Sequence, residues 1–139
     1  MSSVIDHIRK VPLFRGLPEH ALEIVADRAS ETTFKDGESV TREGEPGETF
    51  YIVIEGRLDV SQHGSFVREL GPGDFLGEIS LVDGSPRTAT VTAVGPVQAL
   101  VIRRADFLEM VEWDSAVRLG ILTALTERIR ETDPGDILD

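Results

Sequence analysis

Between Gly37 and Gly95 the chain is interrupted by glycine every few residues, and ten of its 13 glycines fall there. The runs between them are short and rich in valine, isoleucine, phenylalanine and threonine. β-Branched and aromatic residues favour extended backbone, and glycine supplies the turns between such runs. Strands of that length with turns at that spacing indicate a sandwich or barrel. "TFYIVIEG" at 49–56 and "VQALVIR" at 97–103 read as the clearest strands. "RLDVSQHGSFVREL" at 57–70 reads as a hairpin turning near His63 and Gly64.

The flanks have a different texture. From Met1 to about Ser30 the pattern is helical, and "LPEHALEIVADRAS" sets Leu22, Val25, Ala26 and Ala29 on one face. Pro18 stands near that helix start, where its missing N–H costs nothing. The preceding connector "VPLFRGL" is broken by Pro12 and Gly16. After the β region, Phe107, Leu108 and Val111, then Val117, Ile121, Leu125 and Ile129, recur at helical spacing. Trp113 reads as a core residue rather than a ligand contact. The last helix, about Ser115 to Glu131, carries a second apolar face at Leu119 and Leu122, and Pro134 and Gly135 end it before an acidic tail. Gly120 lowers its intrinsic stability by about 1 kcal/mol relative to alanine. The expectation is one α+β domain over 1–139: helices at 1–30, a β-barrel at 31–103 and helices at 104–131.

Composition narrows the function. With 139 residues, 40% of them hydrophobic, the chain can bury one real core. It has no cysteine, which excludes disulfides and thiolate metal sites. No apolar run approaches the roughly 18 residues of a membrane span, and no signal peptide opens the chain, so a cytoplasmic protein is expected. Against 25 acidic residues stand 14 basic ones, a net charge of −11, which disfavours nucleic acid and anionic membrane as partners. Any anion that binds must be captured by local geometry; otherwise the acidity simply aids solubility.

"FLGEISLVDGSPRTATV" at 75–91 offers such geometry. From Glu78 to about Val82 the chain can make only one or two helical turns before "DGSP" breaks it. A short helix entered through Gly77 exposes backbone N–H groups that suit an anion. Arg87 opens the next strand, and a fold-back of the loop brings its guanidinium to the same place. Glu78 repels a dianion but accepts hydrogen bonds from a sugar hydroxyl, so a singly charged sugar phosphate fits the pair. The alternative is that Glu78 is a favourable charge at a helix N-terminus and Arg87 pairs with a surface acid.

The stretch resembles the phosphate-binding cassette of the cyclic nucleotide-binding domain family. Leu76, Gly77, Glu78, Ser80, Leu81, Arg87, Thr88 and Ala89 match its pattern. Upstream, "VTREGEPGETFYIVIEG" resembles the family's other signature through Gly44, Glu45, Gly47, Phe50 to Val53 and Gly56, and "PLFRGLPEHAL" resembles the segment that precedes its barrel. Thr41 departs from the usual aliphatic residue, which weakens one strand contact. The resemblance implies an eight-stranded antiparallel, jelly-roll-like barrel with the cassette at 76–89. It implies that Arg87 pairs with a cyclic phosphate and that Glu78 accepts a hydrogen bond from the ribose 2′-hydroxyl. Gly77 would admit close backbone approach. Amides near Ile79, Ser80 and Thr88 would donate to the ligand, with Ala89 completing the set. Ser80 serves equally well as a small packing residue. A hydroxyl at Thr88 contacts guanine in some relatives, yet others that carry one respond to cAMP; family habit favours cAMP over cGMP.

Other chemistries find less support. His7 and His20 lie in helical segments and His63 in a hairpin turn, so the convergence that a cupin-like metal enzyme needs is missing. No nucleophile sits in a strained elbow or beside a base, and no cofactor is implied beyond the ligand cAMP or cGMP. The reading is a non-enzymatic regulatory sensor that acts on an effector protein, either alone or as a piece of a longer chain. A DNA-reading module is not expected after the last helix. That helix would act as a lid, a homodimer contact or both. The alternatives are a non-binding interaction module of the same fold and, less favoured, the cupin-like enzyme.

Overall fold

The valine- and isoleucine-rich runs at 49–62 and 90–103 each form one strand of 14 residues, and the remaining β structure is laid on these two. The computed structural model describes residues 3–131. In chain order the elements are α1 (Ser3–Arg9), α2 (Glu19–Arg28), β1 (Ser30–Phe34), β2 (Ser39–Thr41), β3 (Thr49–Gln62), β4 (Ser65–Leu70), β5 (Phe75–Leu76), α3 (Glu78–Asp83), β6 (Thr90–Arg103), α4 (Arg104–Trp113) and α5 (Ser115–Glu131). They gather into two compact units: residues 27–108, and 3–26 with 109–131.

The first unit is an antiparallel sheet, as expected, with helices before and after it in the chain. Its strands run β1-β6-β3-β4, with β2 on β6 and β5 on β3. The expected eight-stranded closed barrel is corrected: the sheet has six strands and does not close. The reason is visible at Gly56, which the sequence suggested as a strand end. It lies inside β3 at φ 102°, within the register shift between Glu55 and Arg57. A Cβ there would stand 2.5 Å from the Pro96 carbonyl, so only glycine lets the two backbones pass while the ladder bends and continues. β6 likewise continues through Gly95, at φ 78°. Splitting both long strands at these glycines would turn six into eight.

The hairpin expected at His63 and Gly64 is present. Both residues have positive φ, 52° and 80°, in a two-residue loop closed by the Gln62↔Ser65 pair, the geometry that matches strand twist. Val53, Leu58, Val60, Leu70, Val91, Ala93 and Val97 form a buried cluster, and Phe34, Val40, Leu76 and Ala89 pack against it.

In the second unit the connector after α1 coils through successive tight turns, Val11 N–H to Ile8 O, Phe14 N–H to Val11 O and Leu17 N–H to Phe14 O. This buries Val11, Leu13, Phe14 and Leu17. Asp114 Oδ1 caps the start of α5 by accepting the Val117 N–H at 2.9 Å. Arg118 donates to the Val111 and Glu112 carbonyls at the end of α4. Val117 and Ile121 are buried, whereas Leu119 and Leu122 are exposed. Gly120 has a reason beyond propensity: a Cβ there would collide with the Leu17 side chain. Two expectations fail. Trp113 is 79% exposed and therefore not core, and Leu108 yields its buried place to Met110, which shares the inward face with Phe107 at helical spacing. Pro134 and Gly135 lie outside the described residues. Among the described residues no helix is long and apolar enough to cross a membrane.

Candidate functional site

Both ends of the 76–89 segment are rooted in the sheet. Leu76 closes β5, paired with Tyr51, and packs with Ala89 against the core cluster. Between these anchors the chain leaves the ladder. Gly77 turns at φ 90°, a conformation costly for any residue with a side chain, and starts α3. The helix runs for six residues and stops at Gly84, whose N–H donates to Ser80 O at 2.8 Å. Asp83 Oδ1 then accepts the Ser85 N–H at 2.8 Å. Hydrogen bonds from Ser85, first its side chain and then its backbone, hold the Asp83 carboxyl below its ordinary pKa.

The segment returns along residues 44–46. Arg87 N–H donates to Glu45 O and Gly44 N–H to Arg87 O, both at 2.8 Å, and Pro46 bridges Pro86. This fixes the backbone of Arg87 and sends its side chain inward, where the residue is 8% exposed. Nη2 donates to the carbonyl and hydroxyl of Thr49 at 2.6 and 2.8 Å. Nη1 is buried with no hydrogen-bond partner. It lies over Gly77, where a Cβ would come within 2.5 Å of it. Burial lowers the pKa of Arg87, with the charges of Tyr51 and Glu48 opposing that shift. A guanidinium still remains protonated near neutral pH. The result is a buried cation with an unused donor, aimed at the N-terminal end of α3.

Glu78 and Ser80 are buried on the same short helix, 8% and 6% exposed. Ser80 stands against Gly47, where any Cβ would overlap its side chain, so its packing role is real. Gly77, Glu78, Ser80 and Arg87 are thus brought together. Thr88 faces solvent, and its carbonyl accepts from Gln62 Nε2 at 3.0 Å. The half-buried Ala89 offers its carbonyl to Thr41 Oγ1 at 3.2 Å. The unusual Thr41 is therefore itself a hydrogen-bonding anchor for the segment. The backbone of Ile79 belongs to α3; its side chain is outside what the structure describes. The surface-acid partner considered for Arg87 is replaced by Thr49, which sequence reasoning missed. Among the described residues no group of three or more acidic or histidine side chains is arranged to hold a metal.

Comparison with known proteins places this geometry in a class. The pattern of the family described as "Cyclic nucleotide-binding domain" matches residues 31–114. A cAMP-dependent protein kinase regulatory subunit of Dictyostelium discoideum is 34% identical over 110 residues, covering 73% of this chain and 34% of that protein. The chain thus spans about a third of that relative. Among solved structures, the N-terminal domain of a transcriptional regulator from Streptomyces coelicolor A3(2) superposes with a TM-score of 0.85 at 31% identity, over 92% of this chain and 95% of that one. A cyclic nucleotide-binding-like protein of Brucella abortus gives 0.73 at 25% identity, over 79% and 98%. The chain belongs to the cyclic nucleotide-binding domain family.

Proposed function

We propose that the chain binds a cyclic nucleotide in the 76–89 segment, cAMP in preference to cGMP, and works as a non-catalytic cytoplasmic sensor for an effector protein. The observation that carries this reading is the buried Arg87 with Nη1 unpartnered. A desolvated cation gains most from one singly charged, hydrogen-bonding anion, and a cyclic phosphodiester is such a group. In this reading Nη1 takes an exocyclic phosphate oxygen while Thr49 holds Nη2. Gly77 leaves room for the phosphate, and the amides of Ile79, Ser80 and Thr88 donate to ligand oxygens. Glu78 accepts the ribose 2′-hydroxyl, which explains an acid so close to an anion site. The hydroxyls of Ser80 and Thr88 add further donors, and Ala89 anchors the exit of the segment.

The preference for cAMP is supported by the kinase regulatory subunit, which is named for it. Transmission is assigned to the C-terminal helices. The exposed Leu119 and Leu122 on α5 supply an apolar face for the effector, or for a second copy of the chain. Titration calorimetry with cAMP and cGMP tests the reading. One-to-one binding with cAMP tighter is the expected result, and tighter cGMP reverses the choice of base. If neither binds, the chain is an interaction module of the same fold. Nucleotide should also slow hydrogen exchange across residues 116–128; a change confined to 77–89 would remove the helices from the mechanism.

A further inference from the structure

A second arginine stands at the far end of α3. Arg104 opens α4, and its N–H donates to the Glu48 carbonyl at 2.9 Å. Glu48 precedes Thr49, whose carbonyl and hydroxyl hold Arg87 Nη2. From this anchored backbone the Arg104 side chain reaches back to the cassette. Its Nη2 donates to the Val82 carbonyl at 3.4 Å, and a Cβ on Gly84 would lie 3.0 Å from its Cζ. A cation at the last carbonyls of a helix is favourably placed. Yet Arg104 Nε is buried without a hydrogen-bond partner. Buried donors are nearly always satisfied, so an exception calls for a reason beyond stability. The first turn of α4 is held independently, by Arg28 Nη1 on Asp106 Oδ1 at 2.9 Å. Arg104 therefore has a firm base from which to act on α3.

We propose that Arg104 is a positioning residue for the cassette. Its backbone N–H is held by the Glu48 carbonyl, next to the Thr49 that carries Arg87, and its side chain reaches the C-terminal end of α3. The hydrogen-bonded circuit runs from Arg87 through Thr49 and Glu48 to Arg104, and through the Arg104 guanidinium to Val82. It registers both ends of the 77–87 segment against the start of one strand, β3. The role in ligand binding rests on the function proposed above; the role in holding α3 does not.

Arg104→Ala and Arg104→Lys in the full chain separate these. Without nucleotide, native-state hydrogen exchange is read at the Leu81 and Gly84 amides, which bond Gly77 O and Ser80 O, and at amides of the β3–β6 ladder. In the alanine variant, exchange at Leu81 and Gly84 should rise about tenfold with the ladder unchanged, as for loss of one hydrogen bond from a charged donor. The lysine variant keeps the charge and a donor and should show about threefold. cAMP affinity should fall by similar factors in the same order. If the alanine chain does not fold, the lysine variant is judged by the same readings. Unchanged exchange at Leu81 and Gly84 overturns the proposal, as does a rise shared equally by the ladder. Unchanged cAMP affinity in a chain that binds it overturns the role in binding. If the parent chain binds neither nucleotide, the proposed function fails and exchange alone decides Arg104.

Discussion

From Thr49↔Arg103 to Ser61↔Thr90, β3 lies against β6 in a ladder interrupted only where it bends, and its inward residues Val53, Leu58 and Val60 are almost free of solvent. The 76–89 segment is fastened to the same core at both ends but made of opposite material. Among the described residues, the buried polar or charged ones are Thr41, Glu78, Ser80 and Arg87, and three of these four lie in that segment. The ladder gains from every apolar contact, whereas the segment places a carboxylate, a hydroxyl and a guanidinium where each loses water. One region therefore generates stability and the other consumes it, which is the division expected of a scaffold and a site.

Paired substitutions test that division most strongly. Leu58→Ala removes a fully buried side chain from the ladder and should cost about 2–5 kcal/mol of folding free energy. The affinity of the molecules that remain folded should not change. Arg87→Ala should do the reverse: nucleotide binding weakens by about 2–5 kcal/mol, well over tenfold, while the thermal midpoint stays close to that of the parent. Denaturant melts and calorimetry on both variants check the pair. A large stability loss in the Arg87 variant would erase the distinction between the two regions.

Two glycines sharpen the comparison at smaller magnitude. Gly56→Ala and Gly77→Ala each force a side chain into a left-handed backbone, at a cost of about 1–3 kcal/mol. For Gly56 the new methyl meets the Pro96 carbonyl, so the loss should be read in the melt. For Gly77 it meets Arg87 Nη1 and the Thr49 carbonyl, so the loss should be read chiefly in nucleotide affinity. Equal stability losses with equal affinities would show that Gly77 serves only the fold.

A smaller effect is expected at Glu78. Glu78→Gln keeps the shape and removes the charge, and should weaken cAMP binding by about 1.5 kcal/mol, less than loss of Arg87. The penalty should shrink for the 2′-deoxy nucleotide; equal penalties on both ligands would remove Glu78 from the ribose role. The smallest effect belongs to Asp83. Its folded pKa is depressed by Ser85, so its stabilisation is present above the ordinary carboxylate pKa and is lost as pH falls through the lower folded value. Asp83→Asn should lower stability slightly at neutral pH and flatten the profile from about pH 5 downward, so that variant and parent converge in acid. A difference that persists unchanged into acid would come from something other than the ionised carboxylate.

What the sequence determined by itself was whatever depends on near neighbours. The turn at His63 and Gly64 follows from two adjacent residues able to take positive φ between alternating runs. The short helix from Glu78, its entry through Gly77 and its end at Gly84 are written within eight residues, because helix entry and exit are local backbone events. Glu78 and Arg87 stood out at the two ends of a short helix and turn, each with a structural alternative beside it, and Ser80 was singled out through the family resemblance. Tertiary structure alone decided how the glycines acted. Gly56 could end a strand or bend one, and the choice rested on β6 passing alongside at Pro96 and Val97. It also decided what holds Arg87. Thr49 is 38 residues from Arg87, and Arg104 is 22 from Val82, so no local pattern announces either pairing. Trp113 and Leu108 lost their expected buried places for the same reason. Helical spacing says which residues share a face; what packs against that face is set by chain arriving from elsewhere.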